Sequence, residues 1–315
     1  MAIGSGVGAQ LGIATESTFG TGVTVSRFYE FNTESTQYNK KISEGMGLRA
    51  GGLLPRAQRR VVTTFDAAGD LEIDLPTKGL GLLLAHAMGS FPTVSSGTYT
   101  FTLGDVYGKS FTTQVGVPQY GGTVTPKTLT GCKVSSFELA VNAGAIATGK
   151  FTLDAANLVT STALATASYS ASTGLFHFAQ GAITIDGASV ANIKDFSISV
   201  DNTIKNDRYN LGAAGAKSEQ LINGFRKVTG KITAEFTDTT LLAKFLADTS
   251  AAIALTFTGP TGFGLSITVS AAKFDADTPK VGGPGVVDLS MTFTAYDNGT
   301  DAPLTIVYTT TDSTL

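Results

Sequence analysis

The stretch GDLEIDLPTKGLGLLLA (Gly69–Ala85) indicates the organisation of the chain, because a similar stretch, GKITAEFTDTTLLAKFL (Gly230–Leu246), follows it at a constant offset of 161 in the numbering. Each copy begins with apolar and polar residues in alternation, which is typical of a strand, and continues into an apolar stripe at helical spacing. A basic, Gly-rich stretch precedes each copy, and paired strand patterns follow it. A period of roughly 160 residues is the size of a small domain, so the sequence predicts an internal duplication. The alternative is chance similarity of two strand–helix units.

The two copies predict two short helices. The first is expected over about Thr77 to Met88, and the second over about Thr239 to Ala247 with Asp238 as a plausible N-cap. Apolar residues three and four positions apart share one face of a helix, and that face packs on the core. The residues expected to do so are Leu80, Leu83, Leu84, Leu241, Phe245 and Leu246.

Most of the remaining chain alternates apolar with small polar residues between Gly, Pro, Asn and Asp, as in Phe196–Asn202 and Leu265–Ala271. This pattern predicts a mainly β, antiparallel protein with two short flanking helices. We expect an N-terminal arm over residues 1–26, a first half over 27–160, a connector over 161–175 and a second half over 176–315.

The composition excludes several classes of protein. Apolar residues make up 42% of the chain and charged residues 15%, which excludes sustained disorder. Lys and Arg together number 22 against 25 Asp and Glu, which disfavours a basic nucleic-acid binder. Cys132 is the only cysteine, so no disulfide can form within the chain. The low charge suggests that much of the surface is buried against other subunits.

No targeting segment is visible in the sequence. The longest nearly apolar run, Gly79–Gly89, is shorter than the roughly 20 residues that span a bilayer. The first basic residue is Arg27, so the start of the chain lacks the charged region of a signal peptide. We therefore expect a soluble protein made in a cytoplasm.

Motifs that could carry chemistry are weak. Gly144, Gly149 and Lys150 have the spacing of a phosphate-binding loop, but Phe151 replaces the hydroxyl residue that binds Mg²⁺, which favours hairpin glycines. The only two histidines are isolated from each other, and no catalytic elbow motif occurs. We expect no catalytic residue, no metal site and no cofactor.

A basic cluster lies in the Gly-rich stretch before the first copy. It comprises Arg49, Arg56, Arg59 and Arg60. A nucleic-acid patch is possible, but no aromatic residues are interleaved between Gly45 and Val61. A long hairpin loop that docks on an acidic partner surface is the favoured interpretation.

Four stretches together resemble the major tail tube proteins of long-tailed bacteriophages with flexible, non-contractile tails. These stretches are GAQLGIATESTFGTGVTVSRFYEF (Gly8–Phe31), LTGCKVSSFELAV (Leu129–Val141), GKFTLDA (Gly149–Ala155) and FRKVTGKITAEFTDTTLLAKFL (Phe225–Leu246). The resemblance covers nearly the whole chain and rests on weak patterns in the right order rather than on one diagnostic motif.

The resemblance implies an antiparallel β-sandwich of the tail-tube type flanked by helices. It further implies that subunits join their sheets into a ring, that rings stack through a long loop and terminal arms, and that the tube carries the genome during ejection. The implied partners are other copies of the chain, other tail proteins at the tube ends, and double-stranded DNA only as non-specific cargo of the lumen. It places the protein in the virion tail, assembled in the cytoplasm of a bacterial host, with the basic cluster as an inter-ring contact.

Stoichiometry depends on the duplication. Single tail-tube folds assemble as hexamers, by resemblance, so a chain with two such folds would close a six-fold-like ring with three copies. A true hexamer of one enlarged fold per chain is the alternative. Two other functions remain open at this point: an extracellular β-sandwich binding module, such as an adhesin or carbohydrate-binding domain, and a hydrolase on a β scaffold.

Overall fold

The computed structural model describes residues 5–276 and 278–315. The described chain is mainly antiparallel β with two short helices, α1 (Gly81–Met88) and α2 (Thr240–Leu246). The strands of the N-terminal half of the chain are β1 (Gln10–Thr15), β2 (Arg27–Tyr29), β3 (Thr33–Glu34), β4 (Gln37–Glu44), β5 (Arg60–Asp74), β6 (Thr98–Thr102), β7 (Phe111–Pro118), β8 (Val124–Val141), β9 (Thr148–Ala155) and β10 (Asn157–Val159). Those that follow are β11 (Gly181–Ile185), β12 (Ala188–Ser189), β13 (Ile193–Asp201), β14 (Ile204–Lys205), β15 (Leu221–Ile222), β16 (Lys227–Glu235), β17 (Ala251–Thr258), β18 (Gly264–Ala276), β19 (Asp288–Ala295) and β20 (Leu304–Thr309).

The strands form because their apolar residues recur at every second position, and successive side chains of a strand point to opposite faces. In β17, Ile253, Leu255 and Phe257 are buried while the residues between them are not. The same alternation recurs in β16, β19 and β20. Each of these strands therefore contributes one face to the core.

The strand pairings of the first half recur in the second half. In the first half β1 pairs with β2 and β7, β8 pairs with β7, β9 and β10, and β5 pairs with β4 and β9. In the second half β11 pairs with β12 and β17, β18 pairs with β17, β19 and β20, and β16 pairs with β13 and β19. All of these pairs are antiparallel.

The register of the pairs recurs as well. Gly69 lies opposite Leu153, and Gly230 lies opposite Phe293. Because register decides which residues face the core, equal register means that the two halves bury equivalent positions. The recurring strand pairings extend beyond the two stretches from which the duplication was predicted.

Outside the two stretches that match at an offset of 161, the offset between the halves changes. Gly69 and Gly230 keep the predicted offset, but Phe111 and its equivalent, Ala251, lie closer together in the numbering. The first half carries β6 between its helix and the next strand, and β17 follows α2 almost directly. This added strand of the first half pairs with β20 of the second.

The two halves are also joined through their sheets. β8 continues past its pairing with β9 and pairs along its other edge with β13, with Phe196 opposite Val141 and Asp201 opposite Ser136. One seam of backbone hydrogen bonds thus connects the halves within the chain.

The expected N-terminal arm, residues 1–26, includes a strand. Residues 10–15 form β1, and Leu11 and Ile13 are buried in the core. The alternation in this segment is too short to separate a core strand from an arm by sequence alone. Residues 161–175, which were expected to form a connector, contain no strand.

Candidate assembly surfaces

The end of the β4–β5 hairpin projects from the fold. The paired strands reach Glu44 and Arg60, and residues 45–59, here called the tip, connect them. The tip closes when the backbone N–H of Gly45 donates to the carbonyl of Arg59 at 3.0 Å, next to a 3-10 turn over Ala57–Arg59. The tip is thus a loop at the end of a two-stranded hairpin. The structure places Arg60 in β5 and the other three predicted arginines in the tip.

The tip carries apolar and basic side chains that face solvent. Four large apolar residues are each at least 80% exposed: Met46, Leu48, Leu53 and Leu54. The four predicted arginines are exposed as well, and Arg60 pairs with Glu44 at 3.3 Å. Exposed apolar clusters of this kind mark surfaces that other molecules cover. The sequence analysis predicted the arginines of this surface and missed its apolar part, although the letters GLLP beside them were a usable signal.

The equivalent loop of the second half, unlike the tip, is hydrogen-bonded to the first half. Residues 202–226, here called the docked loop, connect β13 to β16 and fold back on the first half. The side-chain amide of Asn202 donates to the carbonyls of Ala87 at 2.9 Å and Val134 at 2.8 Å. The backbone N–H of Phe65 donates to the carbonyl of Gly215 at 3.1 Å. The docked loop therefore holds the two halves in one arrangement.

A buried lysine anchors the docked loop. The ammonium group of Lys217 lies 2.7 Å from Asp154 Oδ1 and 3.0 Å from Asp66 Oδ2, and its side chain is 1% exposed. Gln220 Nε2 donates to Asp154 Oδ2 at 2.7 Å, and the hydroxyl of Tyr209 donates to Asp66 at 2.7 Å. The two acids come from β9 and β5, so the network ties the loop to two strands of the first half.

The pKa values of the two carboxylates of this network are shifted in opposite directions. Burial raises the pKa of Asp154, and Lys217 opposes that effect without overcoming it. Burial also raises the pKa of Asp66, but hydrogen bonds from Tyr209 and Lys217 outweigh it and the net pKa is lowered. Asp66 is therefore the acid more firmly held as a carboxylate.

A second buried lysine lies beside the first network. Lys133 Nζ donates to Glu219 Oε1 at 2.6 Å, to the carbonyl of Val106 at 2.8 Å and to that of Gln220 at 2.9 Å. Burial lowers the pKa of Lys133, and the neighbouring carboxylate of Glu219 counteracts part of that effect. Neither lysine was singled out from the sequence, because burial of a charged residue has no periodic signal.

The two helices differ in burial. Every residue of α1 is buried, and Leu80, Leu83 and Leu84 are among the most deeply buried residues in the chain. In α2, Leu241 is the only residue that is fully buried, and Phe245 is packed partly against the core. The structure begins α1 four residues later than expected, because Pro76 to Leu80 form an extended and turning approach.

Leu246 does not pack on the core, contrary to expectation. It is 69% exposed, because α2 ends at this residue and directs its last side chain outward. Asp238 does not occupy the N-cap position, which Thr239 takes, but its carboxylate accepts a hydrogen bond from the backbone N–H of Thr240 at 2.8 Å.

The residues considered for chemistry lie on different elements of the fold. His86 belongs to α1, where Nε2 lies 3.0 Å from Thr15 Oγ1, while His177 precedes β11 and Cys132 is buried in β8. Gly149 and Lys150 lie within β9, paired on both sides. Among the described residues, no group of three or more His, Cys, Asp or Glu side chains could hold a metal ion. No described helix is long and apolar enough to cross a membrane.

A family model matches most of the chain. The model of a family described as phage tail tube protein matches residues 6–295 of the chain. No curated protein matches the sequence. The matched range includes the tip, the docked loop, both helices and all strands except β20.

Proposed function

Because the chain belongs to the phage tail tube protein family, and is thus a structural component of the virion tail, we propose that its copies polymerise into stacked rings that form the tail tube. The tube is the conduit through which the genome leaves the capsid and enters the host. Assembly takes place in the cytoplasm of the bacterial host, and the chain has no enzymatic activity. The match over residues 6–295 carries this proposal.

The ring is a trimer of duplicated chains. The recurrence of pairing and register supports two tail-tube units per chain, one from β1 to β10 and one from β11 to β20. Three chains then supply six units and a pseudo-six-fold ring. A ring of six chains is the alternative, and it would leave the internal repeat without a role in symmetry.

The tip contacts the next ring. Its exposed leucines and arginines support this role, because an apolar surface with cations at its rim fits a partner surface with carboxylates. The double change Arg59→Glu and Arg60→Glu should leave folded protomers that fail to form long tubes. Lys40→Glu with Lys41→Glu, on the strand below the tip, is the matched charge control. Long tubes from the Arg variant would contradict the role of the tip.

DNA is a non-specific cargo of the lumen rather than a ligand. The net charge of −3 per chain supports this view, because a wall without a surplus of cations releases few counterions on contact with phosphates. Other tail proteins bind the two ends of the tube.

Electron microscopy of the purified chain tests the proposal. Tubes or rings are expected, and symmetry analysis of the rings should give three-fold rather than six-fold order. Monomers alone, over the full concentration range that the protein tolerates, would contradict the tube and favour the extracellular binding module.

A further inference from the structure

We propose that a groove at the end of the β4–β5 hairpin opposite the tip binds the tip of a second copy of this chain. The inference rests on the proposed function, since it names the surface of one ring that receives the tip of the next. It comes from three features of that groove: its place in the fold, its exposed apolar side chains and its carboxylates.

The tip and the groove lie at opposite ends of one strand. β5 contains 15 residues, from Arg60 beside the tip to Asp74. Since a strand rises about 3.3 Å per residue, its two ends lie up to roughly 45 Å apart. The tip of one copy therefore does not reach the groove of the same copy, and a tip bound there comes from another copy.

The segment 172–178 lies across the Asp74 end of β5. The backbone N–H of Phe176 donates to the carbonyl of Leu75, directly after β5, at 3.0 Å. The N–H of Ala147 donates to the carbonyl of Phe176 at 2.9 Å, which attaches the same segment to the turn before β9. These hydrogen bonds fix the segment at the end of the sheet.

Two clefts border this segment, and both are lined by Leu175. The larger, of about 860 Å³, is also lined by Ile146 and Phe178, and the smaller, of about 370 Å³, by Glu30 and Tyr169. The two clefts together are here called the receiving groove. Ile146, Phe178 and Tyr169 are each between 37% and 43% exposed. Apolar side chains exposed around a concave surface mark a place that another molecule covers.

The smaller cleft carries two carboxylates, from Glu30 and Asp74. Among the described residues neither carboxylate forms an ion pair, although Asp74 Oδ1 accepts a hydrogen bond from Asn32 Nδ2 at 2.9 Å. Lys78 also lines this cleft, and its ammonium group donates to the carbonyl of Ala171 at 3.2 Å. The two carboxylates are therefore available to a cation from outside the chain.

The tip has the complementary composition. Residues 45–59 include three arginines and no Asp or Glu, which gives a net charge of +3. Apolar side chains of the tip, such as Leu48 and Leu53, lie beside these arginines with no cover from the described chain. Arginine–carboxylate pairs gain strength when a docked surface excludes water from them. Docking of the tip in the receiving groove thus covers the apolar groups of both surfaces and pairs their opposite charges.

The contact is heterologous, because it joins two different surfaces. Since the tip and the receiving groove lie at opposite ends of β5, each docked copy presents its own tip at one end and its own groove at the other. Repetition of the contact adds copies along the hairpin direction rather than closing a pair. The contact therefore suits the stacking of rings and not the lateral contact within a ring.

Charge reversal of the groove tests this contact. Glu30→Arg with Asp74→Arg, here called the groove variant, places two guanidinium groups against the arginines of the tip, and like charges oppose binding. The variant should form rings, and its tubes should contain roughly tenfold fewer rings than those of the parent chain. Electron microscopy measures tube length, and circular dichroism checks that the protomer is folded. Glu30→Arg alone keeps the hydrogen bond between Asn32 and Asp74, and it makes the same test if the double variant does not fold.

Reversal of the tip in the same chain should restore the contact. Arg49→Glu with Arg56→Glu, added to the groove variant, exchanges the signs of both surfaces, so tubes of parental length are expected. Lys40→Glu with Lys41→Glu, added instead, restores the net charge equally but lies outside the tip, so the tubes should remain short. Equal recovery from the two additions would mean that net charge controls stacking, and it would overturn the inference.

Mixing two variants tests whether the contact lies between copies. Rings of the tip variant, Arg49→Glu with Arg56→Glu, and rings of the groove variant should each fail to stack alone. In the mixture the acidic tips fit the basic grooves and the parental tips fit the parental grooves, so long tubes are expected. Parental tubes from either variant alone, or no tubes from the mixture, would contradict the inference.

The failures of the two proposals can be told apart in these samples. If the parent chain and the groove variant form tubes of equal length, the inference is overturned and the proposed function stands. A parent chain that forms neither rings nor tubes overturns the proposed function, and the inference with it.

Discussion

The two halves of the chain share a strand register and differ in what they bury. The helix of the first half, α1, is fully buried, and the tip of that half faces solvent. The second half leaves α2 only partly buried and anchors its docked loop to the first half through the buried side chains of Asn202, Lys217 and Gln220. The same strand framework therefore carries a buried helix and an exposed tip in one half, and a partly buried helix and an anchored loop in the other. The residues of the helices and loops account for this difference.

This contrast indicates that the docked loop is anchored within the protomer and the tip is not. Lys217 and Gln220 in the docked loop find buried acceptors, whereas Met46 and Leu48 in the tip find no cover within the chain. We therefore expect the contacts of the docked loop to contribute to the folding free energy of the protomer. We expect the tip to provide surface that contacts other copies of the chain. The predictions that follow test this division, from the largest expected change in stability to the smallest.

Removal of the buried ammonium should have the largest effect. Lys217→Ala leaves Asp154 and Asp66 facing each other without their cation, and breaking a buried ion pair costs about 3–5 kcal/mol of unfolding free energy. Urea unfolding monitored by circular dichroism measures the change. Lys150→Ala is the control, because its pair with Asp70 at 3.0 Å is largely exposed and is worth about 0–1 kcal/mol. Equal losses in the two variants would contradict the anchoring role of the docked loop.

The helices should respond in the same unequal way. Leu84→Ala removes a fully buried side chain of α1, and such changes cost about 2–5 kcal/mol. Leu246→Ala changes an exposed residue of α2 and should stay within about 0.5 kcal/mol of the parent chain. Thermal unfolding of the unassembled chains compares the two. A large loss from Leu246→Ala without assembly would mean that α2 is packed within the protomer after all.

The burial of α1 should also appear as a pH dependence. Burial lowers the pKa of His86 from 6.5 to about 3. Between pH 6.5 and about pH 3, the imidazole is therefore protonated in the unfolded chain and neutral in the folded chain. Stability contributed by the neutral imidazole is complete above pH 6.5 and falls as the pH drops toward 3, by at most about 1.4 kcal/mol per pH unit. Urea midpoints between about pH 6.5 and pH 5 should fall less steeply in His86→Gln. Parallel curves for the two proteins would contradict this origin.

Much of the framework was predictable from the sequence, because alternation and helical spacing are local signals. Strands such as β13, β17 and β18, both helices and the equivalence of Gly69 with Gly230 follow from such patterns. The change of offset after the helices was not predictable, because β6 belongs to a segment whose partner, β20, lies in the other half of the chain.

The candidate surfaces were predictable only in part. The arginines of the tip were visible as a cluster, but their exposure depends on the absence of a partner within the described part of the fold. The buried network was invisible, because Lys217, Asp154 and Asp66 are far apart in sequence and meet only after both halves have folded. Leu246 had the correct spacing for a core residue and still faces outward, since spacing does not fix where a helix ends.

The smallest change in protomer stability is expected at the base of the tip, and it contrasts the tip directly with the docked loop. Arg60 and Glu44 lie 3.3 Å apart, with side chains 58% and 60% exposed, so water screens their attraction. Arg60→Ala should change the unfolding free energy of the protomer by no more than about 0.5 kcal/mol, in contrast to Lys217→Ala in the equivalent loop. Urea unfolding below the assembly concentration measures this, and assembly of the same variant is followed by light scattering. A clear loss of protomer stability would mean that the tip, like the docked loop, is held by its own chain. An unchanged protomer that assembles more weakly would place the contribution of Arg60 between chains.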